Sequence, residues 1–173
     1  SMVAKNCGGK VPVCGELSEA DREILTSADA IVGEARVQHE AYAINKALDA
    51  IWRVVADANR YFAGQEPWAL KKTDPARMET VLYVTAEVLR IIGIMAQPYV
   101  PQSAAKLLDL LAVPAGQRQF ADLGTRLVSS TALPAPPAPR TSTRLPWMVA
   151  PLSICALTKA SPSVVWPCHE PSL

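Results

Sequence analysis

The residues of this chain able to do chemistry are few, and their spacing excludes most of it. Cysteines at 7, 14, 155 and 168 lack the paired Cys-x-x-Cys spacing of a zinc site and are too sparse to staple a small scaffold. Cys7 and Cys14 could meet in space, but no second pair of ligands lies nearby, so all four read as reduced thiols and no metal is expected. Cys168-His169 reads the same way. No glycine-rich phosphate loop is present, and no histidine accompanies a serine or cysteine nucleophile motif. Glu79 and Glu87, eight residues apart on one predicted helix, share a face as a solvated or salt-bridged edge rather than an acid/base pair. His39, at a predicted helix junction, reads as a surface or capping residue. No catalytic residue is assigned. What remains is aromatic: in "NRYFAGQEPW", residues 59–68, an indole stands where a solvated turn is expected. Trp68 must either cover the mouth between two neighbouring helices or offer its face to a flat partner.

The elements that position it read as helices. Gly8-Gly9 stops a short N-terminal helix and Pro12 forces an extended segment. Ser18 with Asp21 resembles a capping box, predicting a helix from about Glu19 to Arg36 with Ile24, Ala28, Ile31, Val32 and Ala35 inward. A second runs from about Glu40 to Phe62 on the stripe Ile44, Ala47, Leu48, Ile51, Val55, Ala58 and Phe62, ended by Gly64 and Pro67. Asp74 as N-cap and Pro75 at the first position open a third, which Pro98 stops. Its seam is Val81, Leu82, Val88, Leu89, Ile92 and Met95, and Val84, Ile91 and Ile94 widen the arc until little faces water, so it is the central helix. A fourth is predicted at about Gln102–Leu111, with a short helical turn within 115–127. No segment alternates long enough to demand a strand, so the fold class is an all-α helix bundle.

Composition divides the chain. Nine of its fifteen prolines follow Leu133, so residues 1–133 form the helical domain and 134–173 a Pro-rich tail expected to be disordered. Over residues 1–133, fourteen Lys or Arg meet fifteen Asp or Glu, so no strong positive field holds nucleic acid, and any contact with it must be local and shape-dependent. No secretory signal opens the chain, and its most apolar run, 81–96, is interrupted by Glu87 and Arg90, so no membrane span and a cytoplasmic location are expected.

The stretch from Ala58 to Val113 carries, in order, Asn59-Arg60-Tyr61, Pro67-Trp68 with Lys71-Lys72, Leu89-Arg90-Ile91 and the Gln97-Pro98-Tyr99-Val100-Pro101 turn. With "IWRVVADANRY" and the opening "MVAKNCGGKVP", it closely resembles the C-terminal helical domain of bacterial methionyl-tRNA synthetases over residues 2 to about 133. The resemblance implies an incomplete bundle of the class I synthetase type that holds the CAU anticodon of methionine tRNAs. A separate Rossmann-type domain activates methionine with ATP, so ATP and Mg are implied only for that missing catalytic domain, and no cofactor for this chain. In the family the Trp of the Pro-Trp pair stacks on an anticodon base, which places Trp68 as the anticodon-binding residue. Pro67 supports it. Arg60, Lys71 and Lys72 could touch phosphates, the lysines being equally readable as a solvated edge, and Asn59 and Arg60 could instead bind the loop backbone.

Two departures from the family bear on function. An asparagine and an arginine one turn apart that also read the anticodon precede the "SMVAKN" position, as do the HIGH-like and KMSKS-like motifs and the zinc-knuckle cysteines. This chain is therefore expected not to aminoacylate alone, and its missing first helix to leave an apolar groove that promotes self-association. At the other end, "RTSTRLPWMVAPLSICALTKASPSVVWPCHEPSL" resembles nothing in the family and is read as a frameshifted stretch or an authentic extension. The expected partners are methionine tRNA through its anticodon loop and the synthetase catalytic domain. Against this stand two rival readings, a free-standing helical module that binds protein or other RNA, and a non-functional gene fragment.

Overall fold

The structure, a computed structural model, describes residues 2–135; of the predicted Pro-rich tail, residues 136–173 lie outside them. The described chain is all-α. Its helices are α1 (Met2–Asn6), α2 (Glu19–Glu40), α3 (Ile44–Gln65), α4 (Pro67–Thr73), α5 (Pro75–Ala96) and α6 (Pro101–Leu110), followed by 3-10 turns at Ala115–Gln117 and Phe120–Gly124.

Several boundaries depart from the sequence reading for identifiable reasons. α2 continues a full turn beyond Arg36 to Glu40, and the chain then reverses through Tyr42 at φ 56, so α3 starts at Ile44 rather than Glu40. His39 thus belongs to the last turn of α2. Gly64 does not break α3, which runs to Gln65 because nothing there demands another conformation. The predicted turn at 115–127 is two 3-10 turns. The extended segment after Gly8 and Gly9, both at positive φ, closes on the far end of the domain. Val11 N–H donates to Thr131 O at 2.8 Å and Leu133 N–H to Gly9 O at 2.7 Å, around an antiparallel bridge between Lys10 and Ala132. Those few bonds fasten the two ends together without an alternating pattern that periodicity would reveal.

α5 is the axis of the bundle. Sixteen of its 22 residues are buried, more than one apolar stripe supplies, so neighbours must cover it on nearly every side. Ile24, Ala28 and Ile31 of α2, Ile51 and Val54 of α3 and Leu108 of α6 join Val84, Val88, Ile91 and Ile94 in one core. The predicted seam shifts accordingly: Val84, Ile91 and Ile94 are fully buried, whereas Leu89 is only partly so. Gly93 lets α6 approach closely, since a Cβ there would lie 3.0 Å from Leu108 Cδ2.

The burial of α5 takes two charges with it. Glu87 is salt-bridged, as one of the two sequence readings has it, but it lies in the interior rather than at an edge, with no exposed surface, and Arg90 retains 3%. Arg90 Nη2 donates to Glu87 Oε1 at 2.7 Å, and Nε reaches both carboxylate oxygens at 3.1 Å. The remaining donors meet the carbonyls of Asp122, Leu123 and Thr125, while Glu87 accepts from Leu127 N–H at 3.0 Å and from Arg126. The pair therefore stitches the irregular segment 122–127 onto the central helix. Removing one partner from a buried pair leaves the other charge uncompensated and costs about 3–5 kcal/mol. Arg90→Met is expected to lower the unfolding free energy by that amount in urea titration; a loss under about 1 kcal/mol would mean the pair behaves as a surface bridge.

Candidate nucleic-acid interface

Trp68 does not lie in a loop. Glu66 takes a left-handed conformation, φ 42 and ψ 57, which ends α3 and redirects the chain, and Pro67 then opens α4 at its first position. Pro is tolerated there because that N–H has no intrahelical partner. Pro67 is fully buried, so it anchors α4 and is not itself available to a ligand. Trp68 follows in the first turn at 45% exposure, its ring centroid 6.2 Å from that of Phe62 with the planes tilted by 58°. An aromatic edge beneath one part of the indole fixes it while leaving another part in water. The ring thus neither disappears into the interior nor hangs free.

Lys71 and Lys72 lie three and four residues beyond Trp68, hence on the same side of α4 one turn on. Both are exposed, and among the described residues neither has an ion-pair partner. The other proposed supports fare differently. Arg60 is paired with Asp57 one turn earlier on α3, leaving its side chain 78% exposed. Asn59 is exposed, and no hydrogen bond of its side chain occurs among the described residues. Among the described residues neither bonds to the loop backbone, and helix α3 carries both outward. Trp52, seven residues before Asn59 and therefore on the same face, is a further exposed indole at 57%.

Beneath this surface lies a cluster that sequence reading sees only in part. The Ser18–Asp21 capping box is present, with Ser18 N–H donating to Asp21 Oδ2 at 2.9 Å. Asp21, fully buried, also accepts from Tyr61 of α3 at 2.6 Å and from Arg77 of α5 at 2.5 and 2.8 Å. Burial pushes the Asp21 carboxyl up, but the hydrogen bonds from Arg77, Tyr61 and the Ser18 N–H outweigh it and hold the group at about 2, below its ordinary 3.8. Burial, and then the Asp21 carboxylate, push the Tyr61 phenol up. A capping residue is thus the point where α2, α3 and α5 meet. The cap is legible from Ser18 and Asp21; Arg77, 56 residues away, gives no local signal.

A cavity of about 710 Å³ lies toward the opposite end of α5, lined by Val32, Ala35, Met95, Tyr99 and Phe120 among others. His39 stands at its rim, bonded to Ala35 O at 2.7 Å and Tyr99 Oη at 2.8 Å. Both ring nitrogens are engaged within the fold, in keeping with a surface residue.

Comparison with known proteins decides the family. Residues 11–136 match the anticodon binding domain of methionyl tRNA ligase. The chain belongs to that family. A methionine–tRNA ligase of Brucella suis biovar 1 (strain 1330) is 66% identical over 137 residues, 79% of this chain and 27% of that protein. That of Rhizobium meliloti (strain 1021) is 58% identical over 138 residues, again 79% of this chain and 27% of the relative. Among solved structures, apo Mycobacterium tuberculosis methionyl-tRNA synthetase superposes with a TM-score of 0.77 at 48% identity, over 79% of this chain and 28% of that one. The chain thus spans about a quarter of the length of the curated relatives it matches. Among the described residues, no helix is long and apolar enough to cross a membrane.

The Asp21 cluster gives this anticodon-binding domain a defined acid response. The folded-state value of about 2 lies below the ordinary 3.8, so the stabilisation is fully present above about pH 4 and is lost as pH falls through 2. Asp21→Asn is expected to destabilise the domain by about 2–3 kcal/mol at pH 7, through lost charge-assisted bonds, and to flatten the stability profile between pH 4 and 2. Parallel profiles for the two proteins in chemical denaturation across that range would contradict this.

Proposed function

We propose that the domain holds the anticodon loop of methionine tRNA, with a base stacked on Trp68 and neighbouring phosphates met by Lys71 and Lys72. The observation that carries this reading is the indole itself: half exposed, propped by Phe62, on a helix anchored by a buried proline, with two exposed lysines on the same side. A prepared aromatic face binds a base without the cost of ordering it first. The near balance of acidic and basic residues over 1–133 leaves affinity to such local contacts rather than to a general positive field. Arg60, held by Asp57 but largely exposed, and Asn59 supplement the contact from α3. In the ligase the relatives represent, a catalytic domain with ATP and Mg would join methionine to the tRNA so selected. This domain contributes selection and needs no cofactor for it.

Fluorescence titration of the chain with a methionine-tRNA anticodon stem-loop tests the reading. Trp68→Ala is expected to weaken binding by about 1–3 kcal/mol, the worth of one base stack, with the melting temperature little changed, and Trp68→Phe to recover part of the loss. Lys71→Ala with Lys72→Ala is expected to reduce the salt dependence, lowering the slope of log affinity against log salt by about 1. Unchanged affinity in Trp68→Ala would reduce the indole to a packing role. A salt-independent affinity would favour a protein partner over RNA.

A further inference from the structure

We propose that Arg77 is a positioning residue for Trp68, its guanidinium tying the last residue of α3, just before the turn that carries the indole, to the start of α2. The inference rests on Trp68 being the stacking surface and adds what holds it in place. Residues 66–73 link Gln65 to Asp74 as a short segment packed against α5, and the Arg77 guanidinium meets the first of those flanking residues while its backbone amide meets the cap at the second. Its guanidinium Nη2 donates to Gln65 Oε1 at 2.7 Å, and its backbone N–H donates to Asp74 Oδ1 at 3.0 Å. Arg77 is in turn fixed by the fully buried Asp21 and by Ser18 Oγ at 3.1 Å, so the clamp is referred to the start of α2 and not to a mobile side chain.

The need for a clamp follows from the backbone. Glu66, directly after Gln65, sits in the left-handed region at φ 42, which a residue with a Cβ adopts only when its surroundings enforce it. α4 is seven residues long, too short to hold itself helical in water. Its direction depends on its packing against α5 and on how its two ends are held, and Pro67 and Trp68 are the first residues after the strained turn. Phe62 supports the indole from α3, so the ring keeps its place only while α3 and α4 hold a fixed angle. A guanidinium suits this task because its planar fork serves Asp21 and Gln65 together; a lysine ammonium lacks that shape.

The test uses the full 173-residue chain carrying Trp52→Phe, Trp147→Phe and Trp166→Phe, so that Trp68 alone reports. Arg77→Met removes the guanidinium, and Gln65→Leu cuts only its arm to the end of α3, which keeps the test available if Arg77→Met fails to fold. Time-resolved anisotropy without RNA is expected to show a larger fast component at Trp68 in both variants. Leu108→Ala, which destabilises the far end of the bundle, is expected to leave that component unchanged. With the anticodon stem-loop, each variant is expected to bind about 5–20-fold more weakly, and less than twofold more weakly when Trp68→Ala is already present, because the two changes act through one interaction. Unchanged anisotropy, or the same fold-loss with and without Trp68, would overturn the proposal. Should the unsubstituted chain not bind the stem-loop, the anticodon reading fails for this chain while the anisotropy still decides the clamp.

Discussion

A helix that keeps almost no face for solvent must have every charge it carries satisfied by its neighbours, and that constraint organises the domain. α5 carries Glu87 and Arg90 into the interior, where one carboxylate and one guanidinium can neutralise each other but cannot exhaust their own hydrogen-bonding capacity. The surplus donors and acceptors are met by the carbonyls of Asp122, Leu123 and Thr125 and by the Leu127 amide. A segment with little regular structure is thereby placed against the core. Once it is there, residues 130–133 lie beside residues 9–11, and the short backbone pairing between them becomes accessible. The bonds of the buried pair and the pairing of the chain ends thus hold the same irregular segment from both sides.

The same logic operates at the N-terminal end of α5 with a different balance of burial. Asp21 is fully enclosed, whereas Arg77 is partly solvated, so water shares in compensating the cation and the carboxylate depends on its protein partners. Four of its bonds come from Ser18, Tyr61 and Arg77, on three separate elements. Such a network is worth more as geometry than as net stability, because the desolvation of the carboxylate offsets much of what the bonds contribute. Its value lies in fixing the mutual placement of α2, α3 and α5 at the end of the bundle where α4 projects.

How far the sequence disclosed this depends on whether the signal was local. The α5 boundaries followed from Asp74-Pro75 and Pro98, and the α2 start from Ser18 and Asp21, because caps act within four residues. The α2–α3 connection was misplaced because no glycine marks it; Tyr42 takes positive φ there instead. α4 was missed for a related reason: Pro67 reads equally well as the end of one helix and the first residue of another, and the left-handed Glu66 that separates them has no signature of its own. Glu87 and Arg90 were visible as charges in an apolar run, but their burial depends on what covers α5, which periodicity does not report. Trp68 stands out through family likeness, since no local pattern tells a half-exposed indole from a buried one. Trp52 drew no notice because an indole on an amphipathic helix reads as core.

The placement of an aromatic contact on α4 rather than on a long helix has a physical rationale. A side chain on α2 or α3 has its direction set by the helix axis and its neighbours within the bundle, so it can be aimed only by moving the bundle. α4 follows one strained residue, starts on one buried proline that seats it against α5, and ends at the Asp74 cap, so its angle to α3 is set at the turn between them. The cost is that a seven-residue helix contributes little stability to hold that orientation, so its ends must be tied to something rigid. The N-terminal ends of α2 and α5 lie close by, joined through the buried Asp21 carboxylate. On the proposed reading of Trp68, accuracy at the indole is borrowed from the core through a few polar bonds, with near-neutral charge over residues 1–133 leaving little electrostatic attraction to compensate for a misaligned ring.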